Sequence, residues 1–214
     1  MSETTDAALR LRRAIARTRQ ATRDRAPAGC RPEEADDVRG TFATDGALGF
    51  DPFPFLRALH DAGSQAVVIG QVVGLLHGST ELTGDLDLLW DGTPDEARAL
   101  RAALAACGCT ELPDPGREQA GYRVTGADGD LCTPALRWGD HDVTPCLARA
   151  ETTRDPVGFT IRYAALDDLI RMRRALGRPK DHRRADELAR LRRMDRTAAG
   201  RPPAEGGGIS PRRA

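Results

Sequence analysis

Lysine is all but missing. Lys and Arg together number 32, and Lys180 is the only lysine among them. Aromatic residues are also scarce, at 4%, against 40% hydrophobic residues in all, so the core must be built mostly from aliphatic side chains. No apolar run approaches the ~20 residues that a membrane-spanning helix needs. The N-terminus lacks the continuous apolar segment of a signal peptide, and Glu3 and Asp6 count against a transit peptide. These absences exclude a helical membrane protein and make the cytoplasm the expected location. Cysteines number five, an odd count, and no CxxC pair occurs. A disulfide framework and a structural zinc site are therefore not expected. Formal net charge is zero, so no global field draws the chain to nucleic acid or membrane.

What remains is a 214-residue chain with 30% charged residues, a length that suits one domain. Residues 1–48 read as a poorly ordered, arginine-rich N-terminal arm with a polar helix near 7–25, broken by "RAPAGCRPEEADD". Residues 49–195 read as the folded domain. Residues 196–214, rich in Pro and Gly, read as a disordered tail.

Within the domain, "FDPFPFLRALHDAG" predicts a helix ending at Gly63, "QAVVIG" a buried strand, and "QVVGLLHG" a short apolar helix. "DLDLLW" predicts a second strand. "TPDEARALRAALAACG" has the marks of a helix: Thr93 as cap, Pro94 at its first position, acids next. "GYRVTG" and "LCTPALRW" read as strands paired across a polar "ADGD" turn. "HDVTPCL" and "VGFTIRYA" read as further strands, and two helices joined at "GRP" close the domain. This order argues for an α/β (α+β) fold, a mixed sheet flanked by helices.

The chemistry concentrates in "HGSTELTGDLDLLWD". Residues two apart on a strand share a face, so Asp85 and Asp87 project together while Leu86 and Leu88 face the core. Two carboxylates held close repel unless a cation lies between them. Magnesium fits such a pair, because it takes one or two protein carboxylates and leaves other positions to water and phosphate. The plain alternative is a solvent-facing edge strand with hydrated acids. Upstream, a strand runs through Gly70 straight into a helix, an arrangement whose free N–H groups suit a phosphate. Asp142 in "WGDHDVTPCL" is the candidate third acid, either bridging a second metal or taking the proton of an attacking hydroxyl, with Asp140 as competitor. Ser79 and Thr83 read first as turn hydroxyls near this cleft, and His77 as a helix end. Lys180 lies in "GRPKD", where a compact cation beside Arg178 would reach a triphosphate. The alternative there is a solvated helix start.

"VVIGQVVGLLHGSTELTGDLDLLWD" together with "LDDLIRMRRALGRPKDHRRADEL" resembles the nucleotidyltransferase superfamily of DNA polymerase beta-like fold. The nearest likeness is to a small bacterial branch that includes abortive-infection-type toxins and minimal nucleotidyltransferases. It covers roughly residues 50–192. The resemblance makes Gly70 the phosphate-turn glycine, with Gln71 and Ser79 beside the nucleotide. It makes Asp85, Asp87 and Asp142 the catalytic metal acids, and Arg178 and Lys180 nucleotide contacts. It implies a Mg2+-dependent transfer of a nucleotidyl group from an NTP to an acceptor, with tRNA, a protein and a small molecule as the open alternatives. In the toxin branch it also implies a cognate antitoxin. Two positions depart from the family pattern. Gln71 stands where Gly or Ser is usual, and Glu81 stands where an Arg is common. They motivate the alternative of a catalytically inactive nucleotide-binding or interaction module.

Overall fold

The computed structural model describes residues 3–109, 117–136, 138–139 and 141–199. Their backbone forms seven α-helices and six strands. The helices are α1 (Glu3–Thr22), α2 (Phe53–Asp61), α3 (Gly70–Leu76), α4 (Pro94–Ala106), α5 (Thr144–Ala148), α6 (Leu166–Leu176) and α7 (Pro179–Ala199). The strands are β1 (Val67–Ile69), β2 (Asp87–Leu89), β3 (Gln119–Val124), β4 (Ala127–Cys132), β5 (Glu151–Arg154) and β6 (Thr160–Tyr163). They make one mixed sheet in the order β3-β4-β2-β1-β6-β5, flanked by helices. β1 pairs antiparallel with β2 and parallel with β6, while β2 pairs parallel with β4. The expected α+β architecture is what the chain adopts.

The local signals that place these elements are legible in the side chains. Thr93 Oγ1 accepts the Glu96 N–H at 3.3 Å, the cap expected for α4. Leu86, Leu88 and Leu89 are fully buried beside Leu75, Leu76, Phe55 and Ile161, so β2 runs through the middle of the core. Among the described residues no helix is long and apolar enough to cross a membrane.

Three expectations need correction. The N-terminal arm is not poorly anchored. On α1, Ala7, Ala8, Leu11, Ala14, Ile15, Thr18 and Thr22 are buried, a single face at helical spacing. That face packs on α3 and β5. Arg12 adds a two-pronged bond to the buried Asp155 (2.8 and 2.6 Å), and Arg10 Nε donates to Leu76 O at 2.9 Å, at the end of α3. Second, "ADGD" is not a turn but part of β4. The hairpin turns one step earlier, at Thr125 and Gly126, and β3 pairs with β4 from Gln119↔Cys132 to Val124↔Ala127. Third, "HDVTPCL" forms the short helix α5 instead of a strand, since Pro145 suits a helix's first turn and has no N–H for a ladder. As for the expected disordered tail, residues 196–199 form the end of α7 and residues 200–214 lie outside the described residues.

Candidate functional site

Asp85 and Asp87 keep the alternation expected of them. Leu86 and Leu88 are wholly buried, while both acids are half-buried on the opposite face. The parallel pairing Leu88↔Leu131 then decides their neighbours. One step back along both strands Asp87 stands beside Asp130, and two residues further back Asp85 stands level with Asp128. Four aspartates therefore lie on one face of adjacent chain segments. Gly129 between two of them is required by closeness, for a Cβ there would fall 2.0 Å from Leu86 O.

The carboxylates interact. The Asp130 N–H donates to Asp87 Oδ1 at 3.2 Å. Burial holds the Asp87 carboxyl well above its ordinary titration range, and the charges of Asp85 and Asp130 push it further the same way. Asp128 is also raised, mainly by burial, and its Oδ2 lies 3.6 Å from the exposed Arg123. Asp85 Oδ1 accepts the hydroxyls of Thr83 (2.6 Å) and Thr41 (2.8 Å). Tyr122 on β3 donates to Leu86 O at 2.5 Å, and burial with the nearby aspartates drives its phenol strongly upward.

Gly70 sits where β1 turns into α3, with φ +70, a conformation open chiefly to glycine. A Cβ here would lie 2.5 Å from Asp87 Oδ2. The residue that makes the turn is thus also the one that lets the Asp87 carboxylate approach the backbone.

Gln71 and Ser79 are adjacent, but their polar atoms are spent inside the protein. Gln71 Nε2 donates to Ser79 Oγ (3.1 Å) and Glu81 O (2.7 Å), and its Oε1 accepts from Arg173 at 2.7 Å. Ser79 Oγ donates to Glu187 at 3.0 Å. Both side chains are buried and brace α3 against α6 and α7. Arg173 also donates to Gly70 O at 3.2 Å. Its burial, with Arg184 nearby, lowers its guanidinium pKa to about 10.

Glu81, which the resemblance made a misplaced acid, is paired. Arg184 Nε donates to Glu81 Oε1 at 2.7 Å, and Arg183 approaches at 3.3 Å. Arg178 is occupied by Asp181 in the first turn of α7, at 2.5 Å. Lys180 is half-buried and, by helical spacing, stands one turn before Arg184 on the face that meets Glu81.

Asp142 is not beside the pair. It lies in an exposed turn before α5, where its Oδ1 accepts the Thr144 N–H at 2.9 Å, and that contact lowers its pKa. The strand next to β2 is β4, so the acid at that register is Asp130. Asp140 lies outside the described residues. Sequence reasoning missed Asp128, Asp130, Thr41 and Arg173. The available signal for two of them was that "DGD" repeats the spacing of "DLD".

As they stand, no group of three or more His, Cys, Asp or Glu side chains among the described residues is arranged to hold a metal ion. The donors are nonetheless hard oxygens, and Asp87, whose titration is raised first by burial and then by its acidic neighbours, is a group whose charged form a divalent cation would favour. No family model matches the chain, and neither the curated proteins nor the solved structures give a match.

Proposed function

We propose that the chain is a magnesium-dependent nucleotidyltransferase of the polymerase beta-like kind. The observation that carries this reading is the row of aspartates on β2 and β4, with Asp87 seated against Gly70 at the strand–helix turn. Asp85 and Asp87 would hold Mg2+, with Asp130 in the third position that Asp142 was expected to fill. Bound there, the cation would neutralise the phosphate charge of an NTP. The chain's own part is positioning. Arg173 fixes the Gly70 carbonyl and the Gln71 side chain, Thr41 and Thr83 orient Asp85, and Lys180 in the first turn of α7 would supply a cation to the triphosphate. The acceptor is a hydroxyl-bearing molecule, whether tRNA, a protein or a small molecule, and a toxin role would add an antitoxin partner. A cytoplasmic setting suits this chemistry.

The test is transfer from an α-labelled NTP in the presence of Mg2+. Label transfer is expected for the wild type and expected to vanish for Asp85→Ala with Asp87→Ala. Transfer that survives in this double variant would falsify the assignment.

One observation favours a second reading, a nucleotide-binding module without catalysis. The side chains of Gln71 and Ser79 are bonded inside the protein and not turned to a phosphate. That reading expects Mg-NTP binding by calorimetry with no transfer to any acceptor, and loss of binding in the Asp87→Ala variant.

A further inference from the structure

Thr41 belongs to a 3-10 turn (Thr41–Ala43) of the N-terminal segment, 44 residues before Asp85, yet its hydroxyl lies 2.8 Å from Asp85 Oδ1. That is the distance a general base needs from the hydroxyl it serves. Thr83 is the other hydroxyl on this oxygen, but it is only 1% exposed. Thr41 is half-buried, so its side chain keeps some exposure that Thr83 lacks.

The segment bearing Thr41 is held in place from several sides. Arg183 of α7 donates to Asp37 O and Val38 O at 2.7 and 2.9 Å. Arg25, just after α1, donates to Phe42 O at 2.7 Å and also to Thr44 O. The Asp45 carboxylate accepts the N–H groups of Ala28 and Gly29 at 3.0 and 2.8 Å. The Arg184 guanidinium lies over Gly40, and the Gly84 N–H points at Thr41 Oγ1 at 3.4 Å. The hydroxyl is therefore fixed before any ligand arrives, which removes most of the ordering cost of an attack.

We propose that Thr41 is an acceptor, and that the chain nucleotidylates its own Thr41 hydroxyl. This rests on the nucleotidyltransferase reading above. Thr41 Oγ1 forms a bond to the α-phosphorus of an NTP. The bond from that phosphorus to the oxygen bridging to the β-phosphate breaks, and pyrophosphate leaves with the electron pair. The hydroxyl proton passes to Asp85 Oδ1, the acceptor of its hydrogen bond. The product is a phosphodiester on Thr41. Its negative charge stands beside Asp85 and fills the space over the acid pair, so modification stops at one group per chain.

The experiment is mass spectrometry of the full chain after incubation with Mg2+ and each of the four common NTPs in turn. Peptide sequencing locates any adduct, and calorimetry with the same Mg-NTP runs in parallel. The expected result is one nucleotidyl group per chain, on Thr41, absent from Thr41→Val and Asp87→Asn and retained in Thr41→Ser. An adduct at another residue, or one that persists in Thr41→Val, overturns the inference. So does transfer of label to added acceptors while Thr41 of the wild type stays unmodified, and that outcome leaves the nucleotidyltransferase reading standing. Absence of Mg-NTP binding removes that reading and the inference together. The wild-type adduct map requires no variant, so a misfolded Thr41→Val does not decide the outcome.

Discussion

Glu81 lies between two arginines of α7, with Arg184 Nε at 2.7 Å and Arg183 at 3.3 Å. Its neighbour in this network, Gln71, bonds at once to Ser79, Glu81 O and Arg173. Glu81 and Gln71 are thus parts of one brace between α3, the loop before β2 and the last two helices. An arginine at 81 should harm this chain. Glu81→Arg would put a third cation against Arg183 and Arg184, whose side chains are 47% and 9% exposed. Breaking a buried ion pair by losing one partner costs about 3–5 kcal/mol, and the exposure of Arg183 and of Glu81 itself discounts that here to roughly 1–3 kcal/mol. Urea unfolding should show a lower midpoint for Glu81→Arg than for Glu81→Gln. A Glu81→Gln midpoint equal to that of the wild type would mean that the ion pairs contribute nothing. The sequence made these two residues conspicuous but not their roles, because the partners lie about a hundred positions away and only the fold joins them.

At the scale of elements, legibility followed the range of the signal. The alternation of Asp85 and Asp87 with buried leucines is a period of two within five residues, and the structure keeps it. "ADGD" carries the same period, but Gly and Asp are also the residues of turns, and only pairing with β2 makes the segment a strand. Asp130 was hidden for that reason, and Asp142 was chosen in its place from a segment that turned out to be a helix start. The same limit applies to α1. Its buried face is largely alanine and threonine, with Leu11 and Ile15 the only large apolar members, so it reads as a polar arm. Leu11 is fully buried in the core cluster. Leu11→Ala should therefore cost about 2–5 kcal/mol, the range for a buried leucine truncated in a packed core. An unfolding midpoint unchanged by this substitution would contradict the placement of α1. Removal of residues 1–48 should be harsher, since it takes away α1 and the segment that brings Thr41 to Asp85.

Over the whole molecule the charges cancel, with 32 basic and 32 acidic residues, but they do not cancel locally. Aspartates gather on β2 and β4, and Arg173, Arg183 and Arg184 gather on the helices beside them. The fold therefore holds an electrostatic cost among these aspartates, and Asp87 carries part of it. Its native pKa is raised above the ordinary 3.8 by burial and then by Asp85 and Asp130. Well below pH 3.8 the group is protonated in both folded and unfolded chains and costs nothing. As pH climbs through the window from 3.8 towards the raised native value, the unfolded chain releases the proton first, so stability falls. Asp87→Asn has no proton to release. In chelator, the melting temperature of Asp87→Asn should thus match the wild type well below pH 3.8 and exceed it at higher pH, the gap growing until pH passes the raised native value. Each kcal/mol of difference should appear as about 2–4 °C for a chain of this size. Mg2+ should reverse the order at pH 8. A cation at one hundred times its dissociation constant adds about 2.7 kcal/mol to the state that binds it, and only the ionised wild-type site can do so. If Mg2+ raises both proteins equally, the aspartates are not its site. If the two proteins show the same pH dependence in chelator, the repulsion at Asp87 is relieved by some other group, and no cation is needed there.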